Sequence, residues 1–434
     1  MHLYRTLSPL QKRAMIALAI ICSVSYWAEI TRVAVPYILP RYEDLNLTEI
    51  QRIMNISSLV GIPIGFLAGM IALKINKKYL LMGSIGSIAV FYAVYYFTGL
   101  TNGPSWLLWA GDAISGIGTG SALALINSII SEYFPADNHA VLNANFTALM
   151  SGGSMVMNLS GGHIAAVNEG ASWYNVYLLG IYIVAAIVAF GFLMPRRSNQ
   201  DASTLDTGLE PVCEEPDTQG GPKFIPLKVF GLIGVGILTS LSLSAYMNNI
   251  SFFIVTDYKL GSSVQAGIAA SLYQFTGLFI NITYLFWSKF FKKYIHIIGL
   301  GCFTLGNYLI YSMGQNSLTL VYTGVILINM GFCLLNPYYV SRIMFNTPKR
   351  WLPMALALSN VGISIGMVLS ADVINSVSAL FGPDGKFKFL TGTLGGILCM
   401  ALSFFVYFAW KGPLEKAAGP KFEAAKGPGG GAGG

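Results

Sequence analysis

Apolar stretches of about 20 residues recur along nearly the whole chain, separated by short polar breaks. A helix that crosses a bilayer needs about 20 mostly apolar residues, so the pattern predicts spanning helices. Twelve windows meet that length: residues 14–38, 49–72, 79–99, 104–131, 140–164, 172–194, 226–255, 263–287, 294–313, 318–344, 351–379 and 389–410. We call them spans 1 to 12. One break is long. Residues 195–225 are polar, acidic and rich in turn formers, the composition of a flexible linker. It divides the chain into a six-helix half at 1–194 and a second at 226–412, with a low-complexity tail at 413–434 that reads as disordered.

The two halves resemble each other. "KINKKYLLMGS" follows span 2 and "KFFKKYIHIIG" follows span 8. "WAGDAISGIGTG" in span 4 parallels "YTGVILINMGFC" in span 10. The offset is about 213–215 residues in both cases, as a duplicated six-helix unit requires. Parallel repeats place a substrate site at mid-membrane, between the halves. The expected fold is therefore an all-α membrane protein. Twelve transmembrane helices form two pseudo-symmetric six-helix halves around a central cavity.

Composition agrees. Of 434 residues, 54% are hydrophobic and 10% charged, and mean hydropathy is +0.61. Soluble domains carry about 25% charged residues. The chain is expected in a cell membrane, plasma or bacterial inner. The first apolar stretch is too long for a signal-peptide core and lacks an A-x-A-like cleavage site, so it is expected to stay as span 1.

The net charge of +7 raises the question of nucleic acid, but its distribution answers with topology. Lys and Arg gather at alternate breaks: Arg5, Lys12 and Arg13; Lys74, Lys77 and Lys78; Arg196 and Arg197; Lys289, Lys292 and Lys293; Lys349 and Arg350. The positive-inside bias then puts both termini and the linker in the cytoplasm. No nucleic-acid partner is expected. The partners are membrane lipid, a small-molecule substrate and protons, and the protein reads as a monomer.

The five cysteines have no paired spacing, so neither a disulfide framework nor a metal site is expected. No G-x-x-x-x-G-K-[ST] loop occurs and no catalytic constellation stands out. The chain reads as a non-enzyme without a cofactor.

Six plus six spans, a long middle loop and basic 2–3 and 8–9 loops resemble the major facilitator superfamily. The resemblance covers roughly residues 10–412. The family's 2–3 loop signature, G-x-x-x-D-R-x-G-R-[RK], reads "GMIALKINKK" here. Gly69 matches, and Lys74, Lys77 and Lys78 keep the charge; Leu73 replaces the Asp and Asn76 the second Gly. The resemblance marks these four as a cytoplasmic gating loop, without the Asp that helps lock the halves in the family. The span 5 antiporter motif, G-x-x-x-G-P-x-x-G-G, keeps Gly153, Gly161 and Gly162 but has Met157 and Asn158 for its central Gly-Pro.

Three charges well inside spans 1 and 4 stand out. Glu29 and Arg32 are on span 1, about 20 and 27 Å along it at 1.5 Å per residue. Asp112 is on span 4, about 12 Å from its other end. A charge at mid-bilayer costs at least about 2.5–3.5 kcal/mol, so it usually faces the bundle interior and is paired. In the superfamily fold, spans 1 and 4 line the cavity, which lets Arg32 meet Asp112. Glu29 and Arg32 are also i, i+3 neighbours. One cation facing two acids leaves an excess negative charge, as proton coupling needs. Three readings fit: a coupling or substrate-pairing role, a structural bridge that never titrates, or an Arg32 that snorkels to the headgroups. Asp372, near the outer end of span 11, reads as an interfacial or helix-end residue.

Polar side chains in apolar spans supply the cavity candidates: Tyr26, Asn127, Asn145, Tyr246, Asn249, Tyr273, Gln274, Asn329 and Asn336. The expected function is secondary active transport of a small organic solute by alternating access, proton-coupled. Efflux of drug-like or amphipathic compounds by proton antiport is an alternative. A non-transporting sensor or scaffold on the same fold is another.

Overall fold

The computed structural model describes residues 7–72, 75–134, 136–195, 227–291, 294–347 and 352–409. Apart from Pro195, the 195–225 linker lies outside the described residues, as do the 413–434 tail and Lys74. The first half contains α1 (Pro9–Arg41), α2 (Leu47–Ile71), α3 (Lys77–Thr101), α4 (Trp106–Tyr133), α5 (Ala136–Ala166) and α6 (Trp173–Leu193). The second contains α7 (Leu227–Asp257), α8 (Ser263–Phe291), α9 (Ile295–Met313), α10 (Leu318–Asn346), α11 (Leu352–Ala379) and α12 (Lys386–Ala409). The starts of the first two helices are written locally. Ser8 and Gln11 make a capping box with Pro9 at the first turn, and Asn46 and Glu49 make another.

Each half has its own apolar core. Leu18, Ile21, Ile85, Phe91 and Phe190 anchor the first, and Leu243, Phe253, Phe303, Ile310 and Phe389 the second. The helix ends alternate. At one end, which we call the near end, Gln11 Nε2 donates to the Tyr133 carbonyl at 3.0 Å and Lys78 Nζ to the Met194 carbonyl at 2.7 Å. At the far end, Ser105 donates to Asp44, and Tyr258 to Asp384. Partial burial pushes the Asp384 carboxyl up, but Tyr258 and Lys386 outweigh it and hold Asp384 below the usual carboxylate range.

Among the described residues, ten of the twelve helices are long and apolar enough to cross a membrane. The other two are long but diluted by polar and small residues: Ser, Asn and Gly in α5, and Ser, Thr, Gln and Gly in α8. Their polar content has a use, because they pack against each other between the halves. Ser263 Oγ donates to the Gly162 carbonyl at 2.8 Å, and Ser271 Oγ to the Met155 carbonyl at 2.9 Å. A Cβ on Gly267 would lie 2.6 Å from the Asn158 carbonyl and 3.0 Å from the Gly162 Cα. Only glycine admits that approach.

Two helices expected to be continuous are broken. In α1 the α-helix stops at Val24, a 3-10 turn runs over Trp27–Ile30, and the α-helix resumes at Thr31–Ile38. In α7 it stops at Met247 and continues through Ile250–Phe252 into a π turn at Phe253–Asp257. Both are the first helix of a half, and both break in a comparable place. Such breaks free backbone groups that lipid cannot satisfy. Here side chains do it. Tyr92 Oη donates to the Trp27 carbonyl at 2.8 Å, and Gln51 Nε2 reaches the Asn248 carbonyl at 3.4 Å.

The close α5–α8 contact gives a direct test. Gly267→Leu should lower the thermal stability of the purified protein, since forced overpacking costs about 1–3 kcal/mol. Gly301→Ala should change it by no more than about 0.5 kcal/mol, because nothing lies within 4 Å of a Cβ there. Equal melting of Gly267→Leu and wild type would mean that these helices do not meet as described.

Candidate functional site

The break in α1 presents the charges. Trp27 and Ile30 turn into the core of the first half, while Glu29 and Arg32 stay half-buried at its surface. Arg32 Nη1 lies 3.1 Å from Glu29 Oε2, with the side chains 22% and 32% exposed. The opposing half supplies a neighbour: Gln274 Nε2 of α8 is 3.5 Å from the same Glu29 oxygen. The Tyr246 and Tyr273 phenols lie within electrostatic range of both charges. Their rings stack at 4.9 Å with planes 18° apart. Behind them, Asn329 donates from its side chain to the Tyr273 carbonyl. The site thus joins α1 of one half to α7, α8 and α10 of the other.

Asp112 sits elsewhere than the sequence suggests. It is buried, and its carboxylate accepts from the Tyr95 hydroxyl of α3 rather than from Arg32. Backbone packing explains this. A Cβ on Gly111 would come within 2.9 Å of the Tyr95 ring, so the bare glycine lets that ring lie against α4 beside the acid. Tyr95 packs on Tyr177 with centroids 4.8 Å apart, and Tyr177 Oη donates to Thr31 Oγ1 at 3.1 Å. Thr31 adjoins Arg32, which remains within electrostatic range of Asp112 without touching it. Arg32 therefore has Glu29 as its contact partner and Asp112 as a buried neighbour.

The other candidates divide. Asn249 is buried, and its side-chain oxygen accepts from Gln51 Nε2 at 2.7 Å. Tyr26 is half-buried beside the α1 break. Asn127, Asn145 and Asn336 are exposed, in the near-end half of α4, α5 and α10, away from the charge pair. Among the described residues, two bonds from the 2–3 loop, by Lys77 and Lys78, stay inside the first half. Lys77 pairs with Glu132 at 3.0 Å, and Lys78 binds the Met194 carbonyl. Gly69 falls in the last turns of α2.

A second polar cluster was not singled out by sequence. Arg52 of α2 pairs with Asp372 of α11, joining the halves at the far end. Beside it Asn375 Nδ2 donates to Gln51 Oε1 at 2.7 Å and to Thr48 Oγ1 at 3.1 Å, and Asn55 Nδ2 to Ser370 Oγ at 3.2 Å. The available signal was Arg52 itself, a charge inside span 2. Among the described residues, hydrogen bonds between the halves begin at Ser58 and Met155 and run toward the far end.

A membrane-embedded bundle of two six-helix halves with polar groups where they meet defines a transporter class. The sequence profile of the Major Facilitator Superfamily matches residues 15–371, and the chain belongs to that family. No curated protein sequence matches it. Solved structures share the fold at low identity. An auto-inhibited POT family peptide transporter is 11% identical, with a TM-score of 0.67, covering 92% of this chain and 97% of its own. The nucleoside transporter NupG is 15% identical, with a TM-score of 0.64 and coverage of 93% and 100%. A D-xylose-proton symporter is 15% identical, with a TM-score of 0.63 and coverage of 89% and 96%.

The Tyr95–Asp112 bond is separable by mutation. Tyr95→Phe leaves a buried carboxylate without its donor and should destabilise the protein by about 1–3 kcal/mol. In the Asp112→Asn background the same change should cost less, giving a coupling energy in a double-mutant thermal-unfolding cycle. Additive effects would show that the two side chains do not interact.

Proposed function

We propose that this secondary transporter carries a small organic solute by alternating access, with Asp112 as the proton-binding acid and Glu29–Arg32 as the solute contact. The observation that carries this reading is the uneven closure of the two halves. Among the described residues, their polar links gather toward the far end, while Asn127, Asn145 and Asn336 stand exposed and make no hydrogen bond nearer the other end. Amide side chains in spanning helices are costly against lipid and are at home beside water. A cavity open at the near end follows from this, closed above the charge pair by the far-end links. Under the positive-inside bias the near end is cytoplasmic, and this conformation faces the cytoplasm.

Charge balance supplies the coupling. Glu29 and Arg32 cancel, so among these three side chains the ionised Asp112 leaves one excess negative charge. A proton on Asp112 removes it. The halves rock most easily when the moving site is neutral, because an unpaired charge resists entering a low-dielectric enclosure. Asp112 reaches Arg32 through field rather than contact, so its protonation alters how strongly Arg32 is held without breaking a bond.

Two measurements test this. In proteoliposomes, Asp112→Asn should abolish uptake driven by a pH gradient while solute exchange persists and loses its pH dependence. A wild-type pH profile in Asp112→Asn would exclude it as the proton carrier. For orientation, a cysteine introduced at Thr101 should react with an impermeant reagent added outside intact cells. Labelling only after the cytoplasmic face is exposed would reverse the topology.

A further inference from the structure

We propose that the Glu29–Arg32 pair recognises the head group of an α-amino acid: one ammonium and one carboxylate on the same carbon. This rests on the transporter reading above and adds the class of solute. The argument begins with unused hydrogen-bonding capacity. Arg32 spends only Nη1 on Glu29, and Glu29 receives both Arg32 and Gln274 on Oε2. Among the described residues, the remaining guanidinium N–H groups and Glu29 Oε1 have no protein partner. A donor fork and a free acceptor oxygen therefore stand side by side, partly exposed, on one turn of α1.

Charge then selects the ligand. A solute bearing one charge would satisfy one of these groups and add a net charge to a site already beside Asp112. A neutral solute would use neither group's charge. A zwitterion adds no net charge and can bond both groups while the 3.1 Å pair stays intact. Because the two protein charges touch, the solute's charges must also be close. That favours an ammonium and a carboxylate on one carbon over ends held far apart. Among the described residues, no other ion pair competes at this site. Arg52 and Asp372 satisfy each other at the far end, and the Asp112 carboxylate is engaged by Tyr95. Across from the pair, Gln274 and the stacked Tyr246 and Tyr273 form the wall that the head group faces.

The test uses the purified full-length protein and matched solute sets. Each of the twenty common amino acids is compared with its decarboxylated amine, its deaminated acid and its amide by thermal stabilisation and calorimetry. At least one amino acid should bind, with its amine and acid analogues about tenfold or more weaker. Glu29→Gln should weaken the amino acid and narrow the gap to the acid; Arg32→Gln should narrow the gap to the amine. The wild-type comparison needs no variant to fold and decides the matter alone. Equal binding of amino acid and single-charge analogue overturns the inference. So does uptake of a neutral or singly charged solute that is unchanged by Glu29→Gln, which would leave the transporter reading standing. Proteoliposomes that move no solute of any charge class overturn both.

Discussion

The amide of Gln51 holds together more of this structure than any charge does. It is fully buried at the start of α2 and belongs to the first half, yet all three of its bonds reach the second. Its nitrogen donates to Asn249 Oδ1 and to the Asn248 carbonyl, and its oxygen accepts from Asn375. The break in α7 is possible in lipid because Gln51 meets a carbonyl that the broken helix leaves open. The same bonds close the far end of the bundle. A backbone requirement of one half is thus satisfied by a side chain of the other, which makes the helix break and the closure one event.

The matching break in α1 is satisfied differently. Tyr92, from the same half, donates to the Trp27 carbonyl. That bond can persist when the halves move, whereas Gln51 must let go of Asn248 and Asn249. The two breaks are therefore not equivalent in consequence. The α1 break is a fixed shelf that holds Glu29 and Arg32 at the surface of the first half. The α7 break is a joint whose backbone satisfaction depends on the closed far end.

The spans were legible because lipid leaves little choice: long apolar runs and cationic breaks record the bilayer directly. The Glu29–Arg32 contact was legible as an i, i+3 pair. Asp112 was legible as a buried acid, but its partner was not. Tyr95 looks like one more aromatic in an apolar span, and only the bare backbone at Gly111 brings it to the carboxylate. The breaks in α1 and α7 were also invisible, since neither contains a proline or glycine at the point where the helix stops. What fixes them is a tertiary bond from Tyr92 or Gln51. The low apolarity of α5 and α8 gains its meaning only when they are seen to face each other.

A closure built this way is suited to being reversed. Each neutral hydrogen bond at the far end nets only about 0.5–1.5 kcal/mol, because opening exchanges it for bonds to water. The Arg52–Asp372 pair is about half exposed on both sides, where solvent screening leaves an ion pair little net strength. No single link dominates, and their sum is a few kcal/mol. Inverting a two-state equilibrium from 1:99 to 99:1 takes about 5.5 kcal/mol, and one charge crossing 100 mV supplies about 2.3 kcal/mol. The far-end network is therefore of the size that the binding energy of a small ligand can overturn. A closure made from buried apolar side chains over the same area would have been harder to reopen, since exposing each to water costs about 1.5–3 kcal/mol with no compensating bond.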